Sequence, residues 1–323
     1  MCSERAPLSR KELRRLYKPR PRLLPKVTNR ETPRQKALRF RRRFRGVIVP
    51  TLWKFAWNAG TSPAAAFFIL YSAKIDPAYR MTTWRKAALA WRMGRTTRKV
   101  VTGTSWRAHL AMALKLLEMP PDEPGVVVEC GSFQGGSTAN LSLICSIVGR
   151  ELIVYDSFEG LPPPTEGDWV ANEYGTGLYA GSLETVKDHV RRYGNIDVCT
   201  FRKGWYSETL PKHREPIALA FLDVDYQQSL HDCLINLWPK LRPKGFVFLD
   251  DYLYLELCAV FWSERYWKTY FDTTPPGLLG SGSGIPLGTF YPGPFQDWRM
   301  AHTRAGTAYT RKDLHGVWDF FPE

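Results

Sequence analysis

The sequence predicts an α/β protein with a doubly wound, mostly parallel sheet, preceded by an N-terminal helical extension. Three observations carry that expectation. Short apolar runs alternate with helical periods from Val126 onward. Connections between them are long enough for right-handed crossovers, which parallel pairing requires. Glycine-rich or acidic clusters follow the runs directly, where sheets of this kind bind ligands.

The elements can be justified in order. Residues 1–45 are rich in Arg, Lys and Pro without a sustained apolar period and read as an extended basic arm. Residues 46–120 read as a helical region, with Trp84–Met93 and Trp106–Met119 showing apolar residues at helical spacing. Pro120-Pro121-Asp122-Glu123-Pro124-Gly125 ends that region, so the sheet domain spans 121–323. Val126-Val127-Val128 opens the sheet, and after a glycine-rich turn an apolar helix runs to Val148. Strands follow at Leu152–Tyr155, Val198–Phe201, Ile217–Leu222 and Phe246–Leu249. Helices are expected at Leu183–Tyr193, Ser229–Leu241 and Leu255–Tyr270. The stretch from Thr273 to Pro294 is rich in Gly, Pro and Ser and reads as a lid or a connection between late strands.

Charge is distributed unevenly. Residues 1–50 hold 17 Lys and Arg against 3 Asp and Glu, whereas the other 273 residues hold 28 of each sign. The net charge of +14 therefore belongs to the arm, and the body is neutral. Clustered cations suit an anionic membrane surface or nucleic acid. The six cysteines show no CxxC pair or zinc-like spacing, which fits a reduced, cytoplasmic protein; the charge of the arm is what would place it peripherally at a membrane surface. The start lacks an apolar leader core, and Asn58, Gly60, Thr61, Ser62 and Pro63 interrupt the uncharged stretch Phe55–Ala73.

Chemistry concentrates at the strand ends. Glu129-Cys130-Gly131-Ser132-Phe133-Gln134-Gly135-Gly136-Ser137 follows the first strand. It has neither the Gly-Lys-Ser/Thr of a P-loop nor the spacing of a dinucleotide fingerprint. An acidic residue opening the loop suits a cation or hydroxyls, and S-adenosyl-L-methionine presents both an ammonium and a sulfonium. Asp156 ends the second strand, where a carboxylate takes ribose hydroxyls. Asp223-Val224-Asp225 and Asp250-Asp251 end neighbouring strands. Carboxylates clustered this way repel one another unless a hard cation such as Mg²⁺ intervenes.

The motifs VVVECGSFQGGS, VYDSFEGLPPP, FRKGWYSETLP, AFLDVDYQQS and KGFVFLDDY together resemble the macrocin O-methyltransferase (TylF-like) family, over roughly 130 residues from Pro124 to Tyr252. The resemblance implies a Rossmann-like methyltransferase domain that uses Mg²⁺ to methylate sugar hydroxyls of natural products. It implies that Glu129, Gly131, Ser132 and Ser137 surround the methionine moiety of the cofactor. Asp156 would hold the ribose, Ser157 and Phe158 would flank the adenosine, and Gly204 and Trp205 would border the adenine. Asp223, Asp250 and Asp251 would bind Mg²⁺. Two positions depart from the family pattern: Gln134 stands where Arg is common, and Gln227 where Tyr is common.

The expected reaction is methyl transfer from S-adenosyl-L-methionine to a hydroxyl of a small molecule, such as a natural-product sugar, polyol or catechol-like acceptor. Asp223 and His231 are catalytic candidates, and His189, Tyr252 and Asp225 are further candidates for general base. A homo-oligomer is also expected. Two alternatives use the same residues differently. A metal-dependent glycosyltransferase would use Asp223-Val224-Asp225 as its DxD, and a nucleic-acid methyltransferase would use the basic arm.

Overall fold

The structure is a computed structural model that describes residues 74–165, 168, 175–252, 254–278 and 307–312. The basic arm, the Phe55–Ala73 stretch and most of the Thr273–Pro294 segment lie outside the described residues.

Six described strands form one sheet: β1 (Val126–Cys130), β2 (Leu152–Asp156), β3 (Cys199–Lys203), β4 (Ile217–Leu222), β5 (Leu241–Leu249) and β6 (Ala308–Arg311). Their spatial order is β3-β2-β1-β4-β5-β6. The first five pair in parallel, and β6 runs antiparallel to β5. The chain winds outward from β1 through β2 to β3, then returns to lay β4 on the other side of β1. That reversal opens a crevice at the carboxyl ends of β1 and β4, where ligands bind in open α/β sheets.

Eight described helices cover the two faces: α1 (Thr83–Lys99), α2 (Trp106–Leu117), α3 (Gly136–Val148), α4 (Leu183–Tyr193), α5 (Tyr206–Thr209), α6 (Gln227–Leu237), α7 (Leu255–Cys258) and α8 (Glu264–Phe271). Local chemistry sets several boundaries. The side chains of Thr82, Ser105, Ser182 and Ser263 accept backbone N–H groups at the starts of α1, α2, α4 and α8. Gly149, with φ 67°, ends α3 in the left-handed conformation.

Alternate residues of each strand feed opposite cores, the period of two made visible. Val127, Val154, Leu219, Phe221 and Phe248 pack with Met93 of α1, Leu110 and Met112 of α2 and Leu141 and Ile144 of α3. Val128, Ile153, Ala220, Leu222 and Leu249 pack with Leu230 and Leu234 of α6, Phe261, and Trp267 of α8. The first helical region thus lies directly on the sheet.

Two helices are shorter than their patterns suggest. The run expected over Ser229–Leu241 ends at Leu237, a 3-10 turn over Trp238–Lys240 follows, and Leu241 already begins β5. Pro239 explains the stop, because it has no N–H to continue the helix. The run expected over Leu255–Tyr270 is two helices with a 3-10 turn between, and Ser263 restarts the chain as the N-cap of α8.

Gly131 is the tightest point of the crevice. Its φ is 93°, and an added Cβ would lie 1.8 Å from the Asp223 carbonyl oxygen. Only glycine lets β1 and β4 approach this closely at their ends. Gly131→Ala is expected to destabilise the fold by roughly 3 kcal/mol or more, read as the loss in a denaturant melt. A melt unchanged from the parent would show that the β1 and β4 tips can separate freely.

Candidate active site

The sheet's hydrogen bonds continue past the strand ends and assemble the site. Asp223 N–H donates to the Cys130 carbonyl at 2.9 Å, and Asp250 N–H donates to the Leu222 carbonyl at 2.9 Å. Gly131 N–H donates to the Tyr155 carbonyl at 3.1 Å, and Gly204 N–H to the Asp156 carbonyl at 3.0 Å. Gly131, Asp156, Gly204, Asp223 and Asp250 therefore share one rim. Above it lies a cavity of about 470 Å³, a size suited to a small-molecule site.

Asp156 organises the cofactor half of the rim. Its Oδ2 accepts the Ser132 N–H at 2.7 Å and the Ser132 hydroxyl at 2.9 Å, and its Oδ1 accepts the Phe158 N–H at 2.7 Å. One carboxylate thus ties the glycine-rich loop to the β2 turn. It also faces the cavity, with lone pairs left for ligand hydroxyls. The helix after the loop opens at Gly135, which has φ 82° and no side-chain cap, so its first N–H groups are not consumed by a capping side chain.

Asp223, Asp225, Asp250 and Asp251, at the ends of β4 and β5, line the other half. The Thr104 hydroxyl lies 3.1 Å from Asp223 Oδ2 and 3.3 Å from Asp250 Oδ2, so one hydroxyl sits between two acids. Thr307 donates to Asp250 Oδ1 at 2.5 Å. Asp251 is used differently: its Oδ2 accepts the Val224 and Asp225 N–H groups at 3.2 and 3.0 Å. Those bonds hold the turn after β4, where Asp225 has φ 58°. The structure therefore brings Asp223 and Asp250 together, while Asp251 braces backbone. Among the described residues, no group of three or more His, Cys, Asp or Glu side chains is placed to hold a metal ion.

Burial and mutual repulsion raise the proton affinity of this cluster. Burial, then Asp250 and Asp251, pushes Asp223 well above the usual carboxylate range. Burial raises Asp250 also, with the Thr307 and Thr104 hydroxyls pulling the other way. Burial and Asp250 push Asp225 up to about 7.

Most expected positions reach the cavity: Gly131, Ser132, Ser137, Asp156, Ser157, Gly204, Trp205, Asp223, Asp250 and Asp251 line it. Three do not. Glu129 is fully buried beneath the loop, and neither carboxylate oxygen has a hydrogen-bond partner within normal limits. Burial pushes it up to about 8, with the Ser137 and Thr138 hydroxyls acting in the opposite direction. Phe158 is turned inward, packing with Ala139, Val186 and Val190. His231 faces away from the cavity on α6, where its Nδ1 lies 3.0 Å from the Tyr266 hydroxyl and its ring meets Tyr266 and Tyr270 edge-on. Helical spacing explains this placement, because Gln228 and Asp232 of α6 line the cavity while His231 lies on another face. Gln134 and Gln227 are also off the wall, with side-chain amides donating to the Ala180 and Glu256 carbonyls at 2.7 and 3.2 Å.

Of the other base candidates, His189 lies 2.6 Å from the Gln134 carbonyl oxygen, and neither it nor Tyr252 lines the cavity. His231→Gln is expected to keep turnover within about twofold of the parent, since it touches no cavity atom. A drop of a hundredfold would place the imidazole in the reaction after all.

Sequence reasoning passed over several wall residues. Thr102 to Ser105, between α1 and α2, offered no motif, yet Thr104 bridges the acids. Asp168 accepts Thr165 N–H at 2.6 Å and Gln227 N–H at 2.7 Å, tying the proline-rich loop to the start of α6. An isolated Asp in a long loop gave no signal of that.

Residues 86–270, more than half of the chain, match the profile of the Macrocin-O-methyltransferase (TylF) family. The chain belongs to that family. Among its relatives, the 8-demethyl-8-(2,3-dimethoxy-alpha-L-rhamnosyl)-tetracenomycin-C 4'-O-methyltransferase of Streptomyces olivaceus is 34% identical, over 46% of this chain and 66% of that one. The demethyldecarbamoylnovobiocin O-methyltransferase of Streptomyces niveus is 30% identical, over 48% of this chain and 68% of that one. This TylF-family chain thus spans about two thirds of the length of these relatives. The solved structure of the O-methyltransferase NovP has a TM-score of 0.45 at 25% identity, covering 58% of this chain and 72% of that one. Membership in an O-methyltransferase family leaves no support for the glycosyltransferase use of Asp223-Val224-Asp225.

Proposed function

We propose that this chain transfers a methyl group from S-adenosyl-L-methionine to a hydroxyl of a natural-product sugar. The observation that carries the reading is the shared cavity, with Asp156 and the glycine-rich loop on one side and Asp223, Asp225 and Asp250 on the other. Asp156 takes the ribose hydroxyls, and Ser132 and Ser137 lie beside the methionine moiety. Gly204 and Trp205 border the adenine. Glu129 acts from beneath the loop, shaping it without touching the ligand. The sugar acceptor follows from the family and from the rhamnosyl compound on which the Streptomyces olivaceus relative acts.

The reaction is an in-line displacement: the acceptor oxygen forms a bond to the methyl carbon as the carbon–sulfur bond breaks. S-adenosylhomocysteine leaves neutral at sulfur, and the hydroxyl proton passes to a base. Asp225 is the base we assign, because it lines the cavity and burial raises its proton affinity above that of an ordinary carboxylate. The cavity walls align the two reactants, which supplies much of the rate by orientation alone.

The acidic rim also fits Mg²⁺ in its donor chemistry: Asp223 and Asp250 offer buried oxygens side by side, and Mg²⁺ commonly takes one or two carboxylates with waters completing its shell. When bound, the ion would stabilise negative charge developing on the acceptor oxygen. Asp251 serves that pair by holding the turn behind it.

Since the base must be ionised, activity should fall as pH drops through the range where Asp225 takes up its proton, which burial places above the usual carboxylate range. Asp225→Asn should lower kcat and flatten this limb; an unchanged limb would remove Asp225 from the role. Methyl-labelled S-adenosyl-L-methionine offered with a rhamnosylated aglycone and with the bare aglycone tests the acceptor. Label should enter only the glycoside, and label on the bare aglycone would contradict a sugar acceptor.

A further inference from the structure

Helix α1 has a buried face and an outer face of unusual composition. Leu89, Ala90, Met93 and Thr96 are buried. The opposite stripe carries Trp84, Ala88, Trp91 and Arg95, spaced four and three residues apart so that they share one side. Trp84 is 84% exposed and Trp91 61% exposed, and Val101, just past the helix, is 70% exposed. Exposed tryptophan on this scale marks a surface that meets something other than water.

Charge indicates what that partner is. The helix holds Arg85, Lys86, Arg92, Arg95, Arg98 and Lys99 and no acidic residue. Arg95 lies 5.7 Å from the Trp91 ring, so cation and indole form one patch. In sequence, the helix follows a 50-residue segment of net charge +14. A cationic helix with tryptophan on its outer face has the composition of one that lies in the interface of an anionic bilayer. Binding to such a surface grows with inserted aromatic area and with attraction between basic residues and anionic headgroups, and α1 offers both on its outer face. No described helix is long and apolar enough to cross a membrane, so the contact would be peripheral.

We propose that the outer face of α1 docks the protein on a bilayer rich in anionic phospholipid, with Trp84 and Trp91 entering the headgroup region. The helix leads directly into the Thr102–Ser105 segment of the cavity wall. Docking through α1 therefore sets the active site close to the lipid surface.

The test is vesicle co-flotation of the full chain, using phosphatidylcholine vesicles with and without phosphatidylglycerol at low and high salt. The chain should float with the anionic vesicles alone and be released by salt. Trp84→Ser with Trp91→Ser should weaken flotation by more than about tenfold, and Arg92→Glu with Arg95→Glu by at least as much. All four side chains are exposed, so thermal melts should match the parent and exclude misfolding. Full flotation by both variants would overturn the proposal by assigning binding to the N-terminal segment alone. Two further results would overturn it: retention of duplex DNA or RNA, lost in the same variants, without vesicle binding; or a dimer broken by the tryptophan variants, without vesicle binding.

Discussion

Asp156→Ala is expected to weaken S-adenosyl-L-methionine binding by about a hundredfold, the largest effect on cofactor affinity from any single exposed-rim substitution. The reason is that one carboxylate does two jobs. It accepts three hydrogen bonds from Ser132 and Phe158, which set the loop and the β2 turn, and it faces the cavity where ribose hydroxyls would lie. Hydrogen bonds to a charged group contribute about 1.5–3 kcal/mol each, so losing the ligand's share and loosening the loop easily reaches two orders of magnitude. Asp156→Asn should be milder, since its carbonyl oxygen can keep part of the acceptor role. Calorimetry on both variants measures this, and an affinity within threefold of the parent for Asp156→Ala would remove it from the ribose site.

The second large effect is expected at the acidic pair. Asp223→Asn with Asp250→Asn should lower kcat by roughly a thousandfold while leaving cofactor affinity within about threefold. The two carboxylates lie on either side of the Thr104 hydroxyl on the rim half opposite Asp156, so the substitutions remove charge from the reacting end and spare the adenosine end. The double variant should also be more resistant to denaturant than the parent, because it removes the cost of burying these two acids and the repulsion that acts on Asp223. Near-parent turnover in the presence of EDTA would contradict both the pair's role and that of a bound cation. Equal loss of cofactor binding and turnover would mean instead that the pair shapes the whole cavity.

The strand ends were legible in the sequence because parallel strands repeat a simple grammar. An apolar run stops, the chain turns, and the residues at the turn face the crevice. Gly131, Asp156, Asp223 and Asp250 were found by that rule, whereas Gly204 came only from the family resemblance, and the extended ladder bonds explain why the rule works here. What the rule misses is direction. Glu129 and Phe158 neighbour true wall residues, but their side chains enter the core, and strand or turn position alone does not say which way a side chain points. His231 shows the helical version of the same limit. Its chemistry suits a base, and its position near Asp225 in sequence is attractive, yet its rotation about α6 places it against Tyr266. Thr104 and Asp168 were invisible for another reason: each acts through long-range contacts, with 119 residues separating Thr104 from Asp223 and 59 separating Asp168 from Gln227.

The account rests on the cavity being an adenosyl site beside an acidic rim, and calorimetric titration tests that most directly. The purified chain would be titrated with S-adenosyl-L-methionine, S-adenosylhomocysteine and UDP-sugars, each with and without Mg²⁺. Micromolar binding of both adenosyl compounds, with no response to UDP-sugars, is the predicted result. Metal-requiring binding of a UDP-sugar, with no response to either adenosyl compound, would contradict it.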